Sequence, residues 1–155
     1  MATPASLNSY AIDTGMKLMD AGLITASAAA LVSAAAKEVD FSLDGSAKEP
    51  TPLFRGDLII DVAAIEVDSS NEVCAIEWQL SNTAGFGSGV FIQLVHRIGD
   101  AAVTFESADT TLGRKVIPCS NEINGVTFRY GRIYQRISGT IGTGFSSAIY
   151  LAPRS

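Results

Sequence analysis

The stretch from Glu72 to Leu80 alternates without a break: Cys74, Ile76, Trp78 and Leu80 fall on one parity, Val73, Ala75, Glu77 and Gln79 on the other. A period of two puts successive side chains on opposite faces of an extended chain. This segment therefore predicts a strand with one apolar face. A lone strand cannot satisfy its own backbone, and the rest of the chain supplies neighbours in the same style. Leu58 to Val67 is apolar and β-branched, and Val90, Ile92, Leu94 and His96 alternate with Phe91, Gln93 and Val95. Arg114 to Ile117 ends at Pro118, Val126 to Ile137 is long, and Phe145, Ser147, Ile149 and Leu151 alternate with Ser146, Ala148 and Tyr150. Short strands at this spacing, roughly seven or eight of them, predict an all-β chain folded as an antiparallel β-sandwich or barrel.

Local signals suggest how these strands connect. Asp68 to Asn71 is turn composition between two apolar runs, so Leu58 to Leu80 predicts a β-hairpin. Gly99-Asp100 reads as a second turn, leading into Ala102 to Glu106, and Val39 to Leu43 alternates as a short strand. Within Val126 to Ile137 the apolar parity changes at Gly131, which predicts a β-bulge. Leu23-Ile24-Thr25 looks like a strand entering a sheet, followed by an extended or helical Ala-rich stretch to Ala36. With 155 residues the chain is long enough for one domain. We divide it into an extended N-terminal arm, 1–22, and a single β-sandwich domain, 23–155.

Charged residues make up only 17% of the chain, against roughly 25% in an ordinary soluble domain. Part of the folded surface must therefore be small uncharged residues, or be covered by a partner. The net charge of −5, from 11 basic and 16 acidic residues, argues against nucleic acid as that partner. Arg129, Arg132 and Arg136 cluster, but aromatic and aliphatic residues interleave them, as on one exposed strand face. The apolar run from Ala26 to Ala36 is too short to span a bilayer. No secretory leader pattern is evident, so a soluble protein made in the cytoplasm, with no membrane partner, is expected. Cys74 reads as a buried small hydrophobe and Cys119 as a turn residue, and their spacing does not determine whether they are bonded.

Searching for chemistry returns little. His96 is the single histidine, and on the apolar parity it reads as a core or interface residue. A Ser-His-Asp triad would have to assemble in space without a nucleophile-elbow signature. Scattered Cys and His give no metal set; Asp68, Asn71 and Glu72 offer oxygen ligands but read as a plain turn. Gly85, Gly87 and Gly89 precede a strand rather than a helix, so a contact loop carrying Phe86 is expected, not a phosphate cradle. Glu77 reads as an outward, solvated charge. Trp78 belongs to the core parity, whereas Tyr130, Tyr134 and Tyr150 suit an exposed or interfacial strip. The expectation is a protein without catalytic, cofactor-binding or metal-binding residues.

The run Phe128-Arg129-Tyr130-Gly131-Arg132-Ile133-Tyr134-Gln135-Arg136-Ile137, the Gly-rich turn through Gly139, Gly142 and Gly144, and the last run from Phe145 to Ala152-Pro153 resemble the ending of capsid cement (decoration) proteins of short-tailed bacteriophages. Asp20 to Ala28 is similar to that family's opening, and Glu77 to Ser81 and Val90 to Leu94 suit its middle strands. The likeness covers about two-thirds of the chain. Gly131 stands where an aliphatic residue is expected, and Ala35 to Pro52 is longer and more charged than the usual connection. The resemblance implies a jelly-roll-like sandwich on the outside of an icosahedral head. There it would bridge neighbouring copies of the major capsid protein, stabilise the DNA-filled head and self-associate, as a homodimer first and a homotrimer second. Tyr130, Arg132, Tyr134, Arg136, Tyr150 and Phe86 are the expected interface residues. The alternative from another class is a carbohydrate- or receptor-binding sandwich of a phage tail component, which needs Trp78 exposed beside the tyrosines.

Overall fold

Two antiparallel sheets enclose one apolar core in the computed structural model of this chain, which describes residues 16–42, 51–105 and 107–154. In chain order the strands are β1 (Lys17–Met19), β2 (Ala28–Ala29), β3 (Leu31–Val32), β4 (Ala35–Ala36), β5 (Val39–Asp40), β6 (Arg55–Ala64) and β7 (Val73–Ser81). They continue with β8 (Phe91–Gly99), β9 (Gly113–Ser120), β10 (Glu122–Ile123), β11 (Val126–Thr127), β12 (Tyr130–Ser138) and β13 (Ser146–Pro153), and a single helical turn, α1 (Ala101–Thr104), follows β8. The first sheet has the order β1-β13-β6-β9 and the second β2-β12-β7-β8, with β5 also against β12. The eight strands on those two paths pair from the outside of the chain inwards: β1 with β13, β2 with β12, β6 with β9, and β7 with β8. Successive pairs fall alternately in the first and the second sheet.

The alternation of β7 sets the core. Cys74, Ile76, Trp78 and Leu80 point inward, where Ile133, Phe145, Ile149, Leu151, Leu58 and Ile60 meet them. The Trp78 indole, fully buried, stands edge-on to Phe41 at 6.3 Å and donates from Nε1 to the Ser120 carbonyl at 2.8 Å. That bond ties the second sheet to an edge strand of the first. β6 lies between β13 and β9, and Leu58, Ile59 and Ile60 in succession are fully buried. Its uninterrupted apolar run is that of a strand covered on both faces.

Several expectations need correction. Leu58 to Leu80 is not a hairpin, because β6 pairs in the first sheet and β7 in the second; the turn residues carry the chain across the sandwich. Leu23 to Thr25 is no strand beyond a single bridge from Ile24 to Phe145. Of the expected extended run Ala102 to Glu106, Ala102 to Thr104 is helical, as part of α1 (Ala101–Thr104), and Glu106 lies outside the described residues; the Asp100 side chain accepts from the Ala102 amide at 2.8 Å as its N-cap. Gly131 is no bulge, since β12 runs in unbroken register with β7 from Tyr130 to Ser138. The parity change arises because Val126 and Phe128 precede β12 and belong to a different local structure, the β10–β11 hairpin and its exit. An irregularity does occur in β8, where Leu94 faces Trp78 but Ile92 faces Gln79, so Gln93 is the extra residue. Its amide is used at the sheet edge, donating to Ser120 Oγ and the Glu122 carbonyl and accepting from the Ser120 amide.

Cys119 lies in β9 rather than in a turn, and Pro118 is tolerated within that strand because β9 is an edge. Both cysteines are free and buried, and burial pushes each thiol up to about 12. At the N-terminus, residues 1–15 of the expected arm lie outside the described residues. Lys17–Met19 pair with β13, and Leu18 and Met19 join the core, so these residues of the 1–22 span are part of the sandwich. Of the strand expected at Val39 to Leu43, Val39–Asp40 is present as β5, and Leu43 lies outside the described residues.

Candidate interaction surface

Residues opposite one another on neighbouring strands share a face, so the register defines the outer surface of the second sheet. Arg132, Gln79 and Ile92 form one row, Tyr134, Glu77 and Val95 the next, and Arg136, Ala75 and Arg97 a third. Tyr130 begins the strand opposite Ser81. Hydrogen bonds lace the rows together. Arg136 donates to both oxygens of Glu77 at 2.8 and 3.2 Å, Gln79 donates to Glu77 Oε2 at 2.7 Å, and Arg132 Nε donates to Gln79 Oε1 at 2.9 Å. The guanidinium of Arg132 lies 4.4 Å from the Phe86 ring centre and 5.4 Å from that of Tyr134, and Arg136 lies 5.1 Å from the same tyrosine. Such cation–π contacts hold flat side chains in fixed orientation.

Glu77 corrects a further expectation. It faces outward, yet it is only 4% exposed. Burial pushes its carboxyl up, but the hydrogen bonds from Arg136 and Gln79 and the charges of Arg136 and Arg132 outweigh that and hold it below its ordinary value. Glu77 is thus a buried anion that organises the arginines. Its outward parity was readable in the sequence; its burial depends on the arginines that β12 lays across it.

Five of the six expected interface residues meet here: Tyr130, Arg132, Tyr134 and Arg136 along β12, with Phe86 against Arg132. Phe86 is 7% exposed, so it supports the surface rather than presenting itself. Tyr150 is separated from them. It lies on β13 in the first sheet, opposite Ile59, with the Lys17 ammonium 5.8 Å from its ring centre. Beside the second-sheet lattice, Val90, Ile92 and Val95 are all more than a third exposed, an apolar margin the sequence showed only as part of an alternating strand. Trp78 contributes nothing to any outer surface.

The remaining chemical candidates resolve into structure. His96 Nε2 lies 3.9 Å from Asp109 Oδ1 in a hollow with Val95, Arg97 and Thr104. Near the start of β7, ligand atoms of Glu66, Asp68 and Glu72 lie within 4.8 Å of one another. Glu66 accepts from the amides of Gly142 at 2.7 Å and Gly144 at 2.5 Å, and Glu72 from those of Ser69 and Asn71. The Asn71 side chain turns away to Thr140. Glu66 thus clasps the loop between β6 and β7 to the loop between β12 and β13, and Glu72 ties together the first of these loops.

The clasp has a pH signature. Backbone donors, that of Gly144 foremost, hold Glu66 below its ordinary value; for Glu72 burial pushes up, and the amides of Ser69 and Asn71 bring the net shift down. The unfolded chain then binds these protons more readily than the folded one. The stabilisation is complete above an unfolded pKa of about 4.3 and is lost as pH falls through the lower folded values. Urea midpoints should be flat from neutral pH to about 5 and fall below that. Glu66→Gln should lower the midpoint at pH 7 and flatten part of the acid limb, leaving the part due to Glu72 and to Asp20, Asp40, Asp61 and Glu77, which are also shifted down. A Glu66→Gln profile parallel to wild type would contradict the clasp.

No family model, curated protein or solved structure matches this chain.

Proposed function

We propose that this chain is a non-enzymatic structural component of a virion, a capsid cement protein that binds the outside of an icosahedral phage head and bridges neighbouring major capsid subunits. The observation that carries the reading is the outer face of the second sheet, where tyrosines and arginines are locked in place by buried polar partners next to an exposed apolar margin. Rigid aromatic and arginine side chains beside apolar surface are the composition of protein-binding faces. The low charge content and the resemblance of the C-terminal third point the same way. The strand pairing from the ends of the chain inwards supports a jelly-roll winding, an architecture shared by viral capsid and lectin domains. Many copies, each making a modest contact, would attach firmly through avidity. Tyr150 and Lys17, on the opposite sheet, offer a second contact surface, as bridging or homodimerisation requires. The buried Trp78 removes the joint tryptophan–tyrosine platform that the sugar-binding alternative needs.

The test is cosedimentation of purified protein with heads of the parent virus lacking it, followed by electron microscopy. Added regular density between capsomers, with heads that survive higher temperature, is the expected result. Failure to bind such heads would overturn the reading and direct attention to a tail-component role, with a glycan array as the next measurement.

A further inference from the structure

Most arginines among the described residues are already paired. Arg129 binds Asp40, Arg136 binds Glu77, Arg114 binds Asp61 and Arg154 binds Asp57. Arg55 and Arg97 are exposed to water. Arg132 is different. It is half-buried and bonded through Nε to Gln79, and among the described residues its terminal nitrogens have no hydrogen-bond or carboxylate partner. Its nearest acids are committed elsewhere: Glu77 to Arg136, and Glu38 to the Gly85 amide at 3.0 Å. Burial lowers the Arg132 pKa, while Tyr134, Glu38 and Glu77 act in the opposite sense.

The surroundings hold this guanidinium rather than quench it. Gln79 fixes its Nε edge. Phe86 lies against it from a loop in which Gly85 and Phe86 both take left-handed φ, 76° and 57°. For phenylalanine that conformation is strained, and the Glu38–Gly85 hydrogen bond helps to keep it. A planar fork with fixed orientation and free terminal donors matches a carboxylate, which accepts two parallel hydrogen bonds.

We infer that Arg132 anchors a carboxylate-binding site, its terminal nitrogens receiving an Asp or Glu side chain from the surface of a partner protein. Charge selects the occupant. Glu38 and Glu77 lie close enough to repel a phosphate dianion more than a monoanionic carboxylate, and Arg129 and Arg136 are neutralised by Asp40 and Glu77, leaving Arg97 too little to track a nucleic acid backbone. Exposed Ile92, in the same row, and Val95, in the next, supply an apolar margin that excludes water from the pair once a partner closes over it. Which protein carries the acid rests on the capsid-binding reading; the receptor chemistry does not.

Two measurements separate these layers. The first follows arginine side-chain ¹⁵Nε–¹Hε signals of the full chain while hexaglutamate peptide is added, with inorganic phosphate in a parallel titration. Arg132 should shift along a saturating curve while Arg97 responds linearly. An Arg132 response no different from that of Arg97, or saturation by phosphate at lower concentration than by the peptide, overturns the inference. The second uses heads that bind wild-type protein. Arg132→Lys keeps the charge but loses the fork, and should attach at least about tenfold more weakly, as should Arg132→Ala. Carbodiimide labelling with glycine ethyl ester should find a head-surface acid protected by wild type and labelled when Arg132→Ala is used instead. Wild-type attachment with full-strength Arg132→Lys, or with no protected acid, sinks the carboxylate assignment while leaving the cement reading intact. Failure of wild type itself to attach does the reverse, and the peptide titration then decides the site alone.

Discussion

Trp78→Ala is expected to lower the unfolding free energy by about 3–5 kcal/mol, the range for emptying a buried aromatic site. Trp78 sits at the high end because three losses coincide there. Its side chain is fully buried, it stacks edge-on with Phe41, and its Nε1 donates to the Ser120 carbonyl across the sandwich. Removal opens a cavity between two sheets that meet through few direct backbone links, and it leaves the Ser120 carbonyl short of a donor. Against a typical total of roughly 5–15 kcal/mol, such a loss moves a large share of molecules to the unfolded state near body temperature. Trp78 is the chain's one tryptophan, so unfolding of the variant is followed by far-UV circular dichroism in urea. A midpoint within error of wild type would contradict the central position assigned to this indole.

Gly131→Val should be comparably damaging, for the opposite reason. A Cβ at Gly131 would lie 2.4 Å from Cη2 of Trp78 and 3.1 Å from Cε2 of Phe41. The strand cannot retreat, because Gly131 is held by Leu80 of β7 on one side and Val39 of β5 on the other. The indole would have to move, losing its packing and its hydrogen bond. Overpacking usually costs about 1–3 kcal/mol, and valine here should reach the top of that range. The two positions share one space, so their effects should not add. In a Trp78→Phe background, Gly131→Ala should cost less than it does in the wild type. Urea midpoints of the four proteins in that cycle measure the coupling, and simple additivity would mean that the glycine serves some purpose other than making room for the ring.

The same pair shows how far local reading reaches. Parity along Val73 to Leu80 placed Trp78 in the core correctly, because which face a side chain takes depends only on its own strand. Gly131 was misread as a bulge, and as an odd departure from an aliphatic position, because its reason is a ring contributed from a neighbouring strand some fifty residues away. Tyr130, Arg132, Tyr134 and Arg136 lie on one face for the same local reason: they share the outward parity of β12. Tyr150 lies on the other sheet, since a parity says nothing about which sheet a strand enters. Phe86 was assigned to a contact loop, but its burial against Arg132 needs the Glu38–Gly85 bond, again a long-range contact.

From sequence alone came most of the long strands, the inward and outward faces of β7 and β12, and the scarcity of charge, which the residues carry without reference to their partners. Only the tertiary structure decided that β6 and β7 part company, that β1 closes against β13, that Glu77 is buried beneath arginines, and that the terminal nitrogens of Arg132 have no partner among the described residues. Hydrogen bonding between strands is nearly blind to side-chain identity. Partners are therefore chosen by how all the apolar faces can be buried at once, and that choice exists only for the whole chain.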